Sequence, residues 1–99
     1  MKIVLNDNDA NAVKIAVSGR IDSNTYQELQ KTVNEVDYSK GSLIIDFKDV
    51  EYISSAGLRV LLSAQKVMSK KGGMKLINVS EDIMEIFEVT GFSDILTIE

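Results

Sequence analysis

Hydrophobic residues follow two different spacings along the chain, and together they predict a regular succession of strands and helices. Short apolar runs bounded by polar residues or glycine predict strands, whereas apolar residues spaced by three and four predict helices. Strands are predicted at 3–5, 13–17, 42–47, 75–79 and, as a short last strand, 95–98. Helices are predicted at about 24–36, 56–71 and 81–90.

The order of these elements, β-β-α-β-α-β-α-β, predicts the fold class. The polar stretch 6–11 predicts a turn, so the first two strands are expected to form an antiparallel hairpin. Each later strand is separated from the next by a helix, which favours parallel neighbours joined by right-handed crossovers. The sequence therefore predicts an α/β fold, in which a mixed sheet (the antiparallel N-terminal hairpin, then β-α-β units) is packed with three main helices. The 99 residues are expected to form a single domain, 1–99.

Polar residues mark the expected beginnings of the first and third helices. Three residues before the first helix are suitable N-caps, and residue type does not choose among them: Asp22, Ser23 and Asn24. Ser80 is expected to cap the third helix, which Gly91 ends. The core stripe of the third helix is predicted to consist of Ile83, Ile86, Phe87 and Thr90.

The most hydrophobic elements are the strand 42–47 and the helix 56–71. The strand is continuously apolar, as expected when both of its faces are covered, and a loop is expected after it. The helix carries apolar residues on more than one side, which predicts a central, covered helix. Gly72 and Gly73 are expected to end it in a left-handed turn.

Composition removes several classes of chemistry. The chain has no Cys and no His, which excludes disulfides, Cys–His and Ser–His–Asp catalysis and most zinc sites, so no metal or other cofactor is expected. The net charge is −4, and the basic cluster is the pair Lys70–Lys71, so neither nucleic acid nor an anionic membrane is an expected partner. No apolar run is long enough to span a bilayer, and no charged leader with an apolar core is recognisable. These features predict a cytoplasmic globular protein.

Two hydroxyl residues, Ser54 and Ser55, stand where the chain is predicted to enter the helix 56–71. Either hydroxyl is a suitable N-cap, and Gly57 would let the helix approach a strand closely. A hydroxyl in this position could also carry a phosphate, because the backbone N–H groups and the dipole at a helix N-terminus favour negative charge. The two roles are compatible, and the residues alone leave both open.

An enzymatic alternative would use Asp22, Asp46 and Asp49 as Mg²⁺ ligands or would phosphorylate one of them, as in response-regulator receivers. The first strand lacks the acidic pair of a receiver, and no lysine follows the last strand. A glycine-rich phosphate loop with a lysine is also absent from the sequence. We therefore expect that the chain is not an enzyme.

Residues 50–62, which contain Ser-Ser-Ala-Gly-Leu at 54–58, closely resemble the signature of STAS domains, in particular bacterial anti-sigma factor antagonists. The segments 17–22, 43–50 and 87–92 agree with this family in order and spacing, so the resemblance covers nearly the whole chain. It implies a partner-switching cycle in the regulation of transcription. The unphosphorylated antagonist binds a serine kinase that is also an anti-sigma factor and frees the sigma factor. Phosphorylation of the antagonist ends binding, and a PP2C-type phosphatase resets it.

The resemblance also implies the site residues. Many members carry Asp, two hydroxyl residues and Gly-Leu, with the phosphate acceptor directly before Gly; here Ala56 holds that place and Ser54 holds the place of Asp. The Ser-Ser-Ala-Gly-Leu variant also resembles family members, with its second serine as acceptor, so Ser55 is the expected phosphorylation site and Ser54 the lesser candidate. The implied partner surface consists of Asp22, Ser23, Ser54, Ser55, Ala56, Gly57 and Leu58.

One alternative within the family remains open. A STAS domain can serve as a constitutive adaptor, for instance on a transport ATPase complex, without a phosphorylation cycle at Ser55. The serine pair and the lone, antagonist-like domain favour the switch.

The free protein is expected to be a monomer.

Overall fold

The computed structural model describes residues 1–6, 11–36 and 41–99. The strands are β1 (Lys2–Asn6), β2 (Ala12–Ile21), β3 (Ser42–Ile53) and β4 (Met74–Ile77). The helices are α1 (Tyr26–Glu35), α2 (Ser55–Met68) and α3 (Glu81–Thr90), followed by a short 3₁₀ helix, Phe92–Asp94. None of the helices in these ranges is long and apolar enough to cross a membrane.

The four strands form one mixed sheet in the order β1-β2-β3-β4. β1 is antiparallel to β2, whereas β2, β3 and β4 are parallel to one another. The predicted α/β fold with an N-terminal hairpin is therefore confirmed. The predicted last strand at 95–98 is wrong, because only one residue pair joins the sheet there: the Leu76 N–H donates to the Thr97 carbonyl and the Glu99 N–H to the Leu76 carbonyl, both at 2.9 Å.

The core lies on one face of the sheet. Leu43, Ile45 and Phe47 of β3 are fully buried, and Phe47 packs against Phe87 of α3 with ring centroids 6.1 Å apart. Ile44 and its alternate neighbours on the opposite face are only half-buried. The prediction that both faces of this strand are covered was wrong: helices pack on one face, and the other is partly open to solvent.

β3 is longer than predicted, because no loop follows Phe47 and the strand continues to Ile53. Ala16 pairs with Asp46, and Ser18 pairs with Asp49. The chain therefore advances by two residues on β2 and by three on β3, so β3 has one extra residue there. A second register shift adds another between Val50 and Tyr52. These bulges interrupt the two-residue alternation, which is why the sequence pattern suggested a loop.

The helices also differ from the predictions in detail. α2 ends at Met68 rather than at 71, and Gly73, at φ +89°, donates its N–H to the Met68 carbonyl at 2.8 Å, as expected of a left-handed stop. The helix was predicted to be covered on more than one side, but Val67, one of its apolar residues, is 48% exposed. Ser80 caps α3 as predicted by accepting the Ile83 N–H at 3.3 Å.

One residue of the predicted α3 stripe does not lie in the core. Thr90 is exposed, and its hydroxyl donates to the Ile86 carbonyl at 2.7 Å. A threonine in the last turn of a helix can satisfy its own hydroxyl in this way, so Thr90 follows the periodic pattern without being buried.

Candidate functional site

The candidate site lies at the edge of the sheet where β2 and β3 end side by side. Ile21 pairs with Ile53, the last residue of each strand, and the Ser54 N–H donates to the Ile21 carbonyl at 2.8 Å. The segment that follows β2 and the start of α2 therefore leave the sheet from the same point. The structure brings Asp22 and Ser54 together at this edge, although 31 residues separate them in the sequence.

The two serines have different environments. The Ser54 side chain is half-buried and accepts the Gly57 N–H at 3.4 Å, while the Ser54 carbonyl accepts the Leu58 N–H at 2.9 Å. Ser54 is therefore the N-cap of α2. Ser55 is the first residue of the helix and is exposed, and no hydrogen bond engages its hydroxyl among the described residues. Its hydroxyl remains available to a partner or to a modifying enzyme.

Gly57 allows α2 to begin directly on the strand ends. A Cβ atom at this position would lie 2.6 Å from Cγ2 of Ile21 and 2.8 Å from Cγ1 of Ile53, which is too close for carbon atoms. Both Gly57 and Leu58 are buried, the latter with 6% of its surface exposed. Gly57 and Leu58 therefore support the exposed first turn of α2 from beneath, and their membership of the partner surface stays a prediction.

The segment 22–25 forms a compact turn closed by Asp22. Oδ1 of Asp22 accepts the Asn24 N–H at 2.9 Å, and the Asp22 carbonyl accepts the N–H groups of Thr25 at 3.1 Å and Tyr26 at 2.9 Å. Thr25, rather than Asp22, Ser23 or Asn24, is the N-cap of α1, and it makes no side-chain cap bond. The predicted capping role is thus wrong: the Asp22 side chain stabilises the turn before the helix and leaves Ser23 exposed.

The charge of Asp22 is stabilised mainly by this turn. The hydrogen bond from the Asn24 N–H lowers the pKa of Asp22; partial desolvation opposes this effect, and the Thr25 hydroxyl and the Arg20 charge add to it. The Thr25 hydroxyl accepts the Asp22 N–H at 2.9 Å and lies 2.7 Å from the Arg20 carbonyl oxygen. Nε of Arg20 lies 3.6 Å from Oδ2 of Asp22. Asp22 is therefore an anion at neutral pH beside the start of α2.

Sequence reasoning missed Arg20 and Tyr52 as members of the site. They are partners on neighbouring strands, and the Arg20 guanidinium lies over the Tyr52 ring, 4.4 Å from its centroid. A cation–π contact at an exposed site contributes about 0.5–1 kcal/mol, which favours this position of the guanidinium. The pairing depends on the two bulges in β3, which shift the register between the strands, so no sequence signal indicated it.

A cleft between α1 and α2 also opens beside the candidate site. The cleft has a volume of about 250 Å³. The lining residues are Tyr26, Gln30, Ala56, Arg59, Val60 and Ser63. The cleft reaches Ala56, the residue that follows the serine pair, and runs between the two helices.

The three aspartates of the enzymatic alternative do not form one site. Asp46 pairs with Ala16 on β2, whereas Asp22 follows the end of β2, six residues further on, or roughly 20 Å at strand spacing. Asp49 is exposed on the bulged part of β3. Within the described ranges, no group of three or more acidic residues is placed to hold a metal ion.

Asp46 has a structural environment instead. Its Oδ1 accepts the Lys48 N–H at 2.9 Å and the Asn78 side-chain amide at 3.1 Å, and its Oδ2 lies 3.8 Å from the Lys14 ammonium. Partial burial raises the pKa of Asp46, but the two hydrogen bonds and the charge of Lys14 outweigh it, so the pKa lies below its usual value. Asp46 thus joins β3 to β2 and to the end of β4.

Comparison with known proteins gives a consistent set of similarities. Residues 3–99 match the family described as STAS domain. An anti-sigma-B factor antagonist of Bacillus subtilis is 34% identical over 94 residues, which cover 94% of this chain and 84% of the relative.

Two solved structures are similar in fold. An anti-sigma factor antagonist from Mycobacterium paratuberculosis superposes with a TM-score of 0.85 at 23% identity, over 98% of this chain and 83% of that chain. The Bacillus cell fate determinant SpoIIAA in its phosphorylated form superposes with a TM-score of 0.74 at 16% identity, over 99% of this chain and 91% of that chain.

Proposed function

The chain belongs to the STAS domain family, and on that premise we propose that it is an anti-sigma factor antagonist whose binding is switched off by phosphorylation of Ser55. The observation that carries the proposal is the division of roles within the serine pair. Ser54 is engaged as the N-cap of α2, whereas Ser55 is exposed on the first turn and its hydroxyl has no hydrogen-bond partner within residues 1–6, 11–36 and 41–99. Ser55 is therefore the proposed acceptor.

The proposed cycle takes place in the cytoplasm and needs two other proteins. Unphosphorylated antagonist binds a serine kinase that is also an anti-sigma factor, and the sigma factor is released. The kinase transfers the γ-phosphoryl group of ATP to Oγ of Ser55, the hydroxyl proton passes to a base of the kinase, and ADP leaves. A PP2C-type phosphatase then hydrolyses the phosphoserine. In this cycle the chain is a substrate and a regulator and catalyses no step.

The charge of the phosphate explains how binding would end. A phosphoserine adds about −1.5 to −2 charges at neutral pH, to a chain whose net charge is already −4. A partner packed over Ser55 would have to bury an unpaired dianion, which costs on the order of several kcal/mol. Since about 1.4 kcal/mol corresponds to a tenfold change in affinity, this cost is sufficient for release. The helix N-terminus favours a negative charge, so the fold itself should survive.

The proposed partner surface centres on the exposed residues of the two turns at the sheet edge. Ser23 and Ser55 are exposed, and Asp22 and Ala56, next to them in the sequence, are half-buried. Their positions are fixed from beneath by Gly57 and by the bond between Ser54 and Ile21. A partner covering this edge would cover the acceptor hydroxyl, which is the arrangement that a phosphorylation switch requires.

Calorimetric titration with the cognate kinase tests the proposal. We expect Ser55→Ala to keep the affinity of the unmodified protein, and Ser55→Asp and Ser55→Glu to weaken it about tenfold or more. Ser69→Asp is the matched control, because it adds the same charge at the opposite end of α2, about 21 Å along the helix axis. Equal affinity for all Ser55 variants, or an equal loss in Ser69→Asp, would overturn the proposal.

A further inference from the structure

Arg59 lies one helical turn after Ser55 on α2, and both residues are exposed. Residues four apart on a helix are neighbours on its surface, with Cβ atoms about 5–6 Å apart. The first turn of α2 contains no acidic residue that would compete for the guanidinium. The arginine side chain is therefore within reach of any group attached to Oγ of Ser55.

The Arg59 guanidinium also has no bonding partner in the described part of the unmodified protein. Across residues 1–6, 11–36 and 41–99, no hydrogen bond or ion pair engages its guanidinium. The other arginine of the chain, Arg20, is already held by the Tyr52 ring at 4.4 Å and by Asp22 at 3.6 Å. Of the two guanidinium groups near this sheet edge, Arg59 is thus the one that can bind a new anion without first leaving a partner.

We propose that Arg59 is the intramolecular counter-ion of a phosphate on Ser55. A guanidinium presents its donors in a planar fork that matches two phosphate oxygens, and such charge-assisted pairs are stronger than neutral hydrogen bonds. Phosphorylation then changes two features of the partner surface at once: it adds a dianion and it occupies a cation that the unmodified protein offers. The proposal rests on the proposed function for the placement of the phosphate, but the pairing itself needs only phosphoserine at position 55.

The ionisation of the phosphate gives a direct test. Phosphoserine is placed at position 55 during translation, and the second pKa of its phosphate, about 6 for the free group, is measured by ³¹P NMR titration. A paired guanidinium favours the dianion and lowers this pKa. We expect the pKa to be higher by about 0.3 or more in Arg59→Gln, the change that corresponds to loss of an exposed i,i+4 ion pair. Arg59→Lys should fall between the two.

Lys66→Gln is the matched control, since it removes one positive charge from the exposed surface of the same helix, eleven residues from Ser55. We expect its phosphate pKa to equal that of the parent protein. An unchanged pKa in Arg59→Gln, or an equal rise in Lys66→Gln, would overturn the pairing. Because translation installs the phosphate, the NMR test does not depend on the kinase. A negative NMR result would not contradict phosphorylation of Ser55 in cells. The absence of phosphate in cells would likewise not affect the NMR result.

Discussion

The backbone N–H of Ser54 donates a hydrogen bond to the Ile21 carbonyl oxygen at 2.8 Å, just where β3 and β2 end. This bond fixes the first turn of α2 against the turn that begins at Asp22. Substitutions on either side of it are therefore expected to affect one common surface, and the two serines beside it should respond differently.

Ser54→Ala should destabilise the protein by about 1 kcal/mol, because it removes the side-chain cap of α2. Ser55→Ala should change the free energy of unfolding by less than about 0.5 kcal/mol, since its hydroxyl is exposed and makes no bond within the described residues. Urea denaturation measures both values. An equal loss in the two variants would contradict the division of roles between the serines.

Gly57→Ala should destabilise the fold by about 1–3 kcal/mol, because the added Cβ would meet Ile21 and Ile53 at 2.6 and 2.8 Å. Ser63→Ala, at an exposed position of the same helix, is the control and should be neutral or slightly stabilising. Thermal and urea unfolding of the two variants compares them. If Gly57→Ala were as stable as the parent protein, the close approach of α2 to the strand ends would not be a constraint.

Asp22→Ala should lower both the affinity for the kinase partner and the rate of phosphorylation, by about fivefold each, because the turn beside Ser55 loses the bond to the Asn24 N–H, worth about 1 kcal/mol. Asp22→Asn keeps an oxygen for that bond and removes the charge, so it separates the shape of the turn from its electrostatics. Calorimetry and a kinase assay provide the two readouts. If Asp22→Ala leaves affinity and rate unchanged, Asp22 only stabilises the turn.

Asp46 should contribute to the loss of stability in acid. Its pKa is lower in the folded protein than the ordinary value of 3.8, so the unfolded state binds more protons. The stabilisation is therefore complete above about pH 5 and is lost as the pH falls through the folded pKa, below 3.8. Asp46→Asn should lose less stability than the parent protein over this interval.

Urea unfolding between about pH 6 and pH 2.5 measures this dependence. Asp49→Asn is the matched control: Asp49 is exposed on the same strand and makes no ion pair within the described residues, so the variant should follow the parent protein. If all three proteins lost stability in parallel, Asp46 would not be the group that titrates.

The sequence predicted the order of the main elements because their apolar periods are regular, but it did not predict how the strands pair. The extension of β3 to Ile53 depends on two bulges opposite β2, and only the paired register shows that Val50 and Ile53 remain in the core. The last predicted strand was wrong because an apolar pattern alone does not show pairing. Ile95 and Ile98 are both apolar, but only Ile98 pairs with β4.

The candidate site was predictable in part. The pattern of hydroxyl residues before Gly57 located the start of α2, although it could not decide which serine caps the helix. That choice depends on the Ser54 side chain reaching the Gly57 N–H, a matter of backbone geometry. Asp22 was predicted as a helix cap because an aspartate can either cap a helix or close a turn, and the structure shows the second role. The contact of Arg20 with Tyr52 could not be predicted, because it depends on the register of the bulged strands.

The phosphorylation state of Ser55 in the cell is the most direct test of the central claim. The measurement is phosphopeptide mass spectrometry on the protein purified from its own cells, grown with and without stress. Trypsin should release residues 49–59, which contain both serines, and fragment ions that break between Ser54 and Ser55 assign the phosphate. We predict a phosphate on Ser55 whose occupancy changes with the growth condition. Phosphate on Ser54 alone would contradict the assigned acceptor, and no phosphate under any condition would contradict the switch and favour a constitutive STAS adaptor.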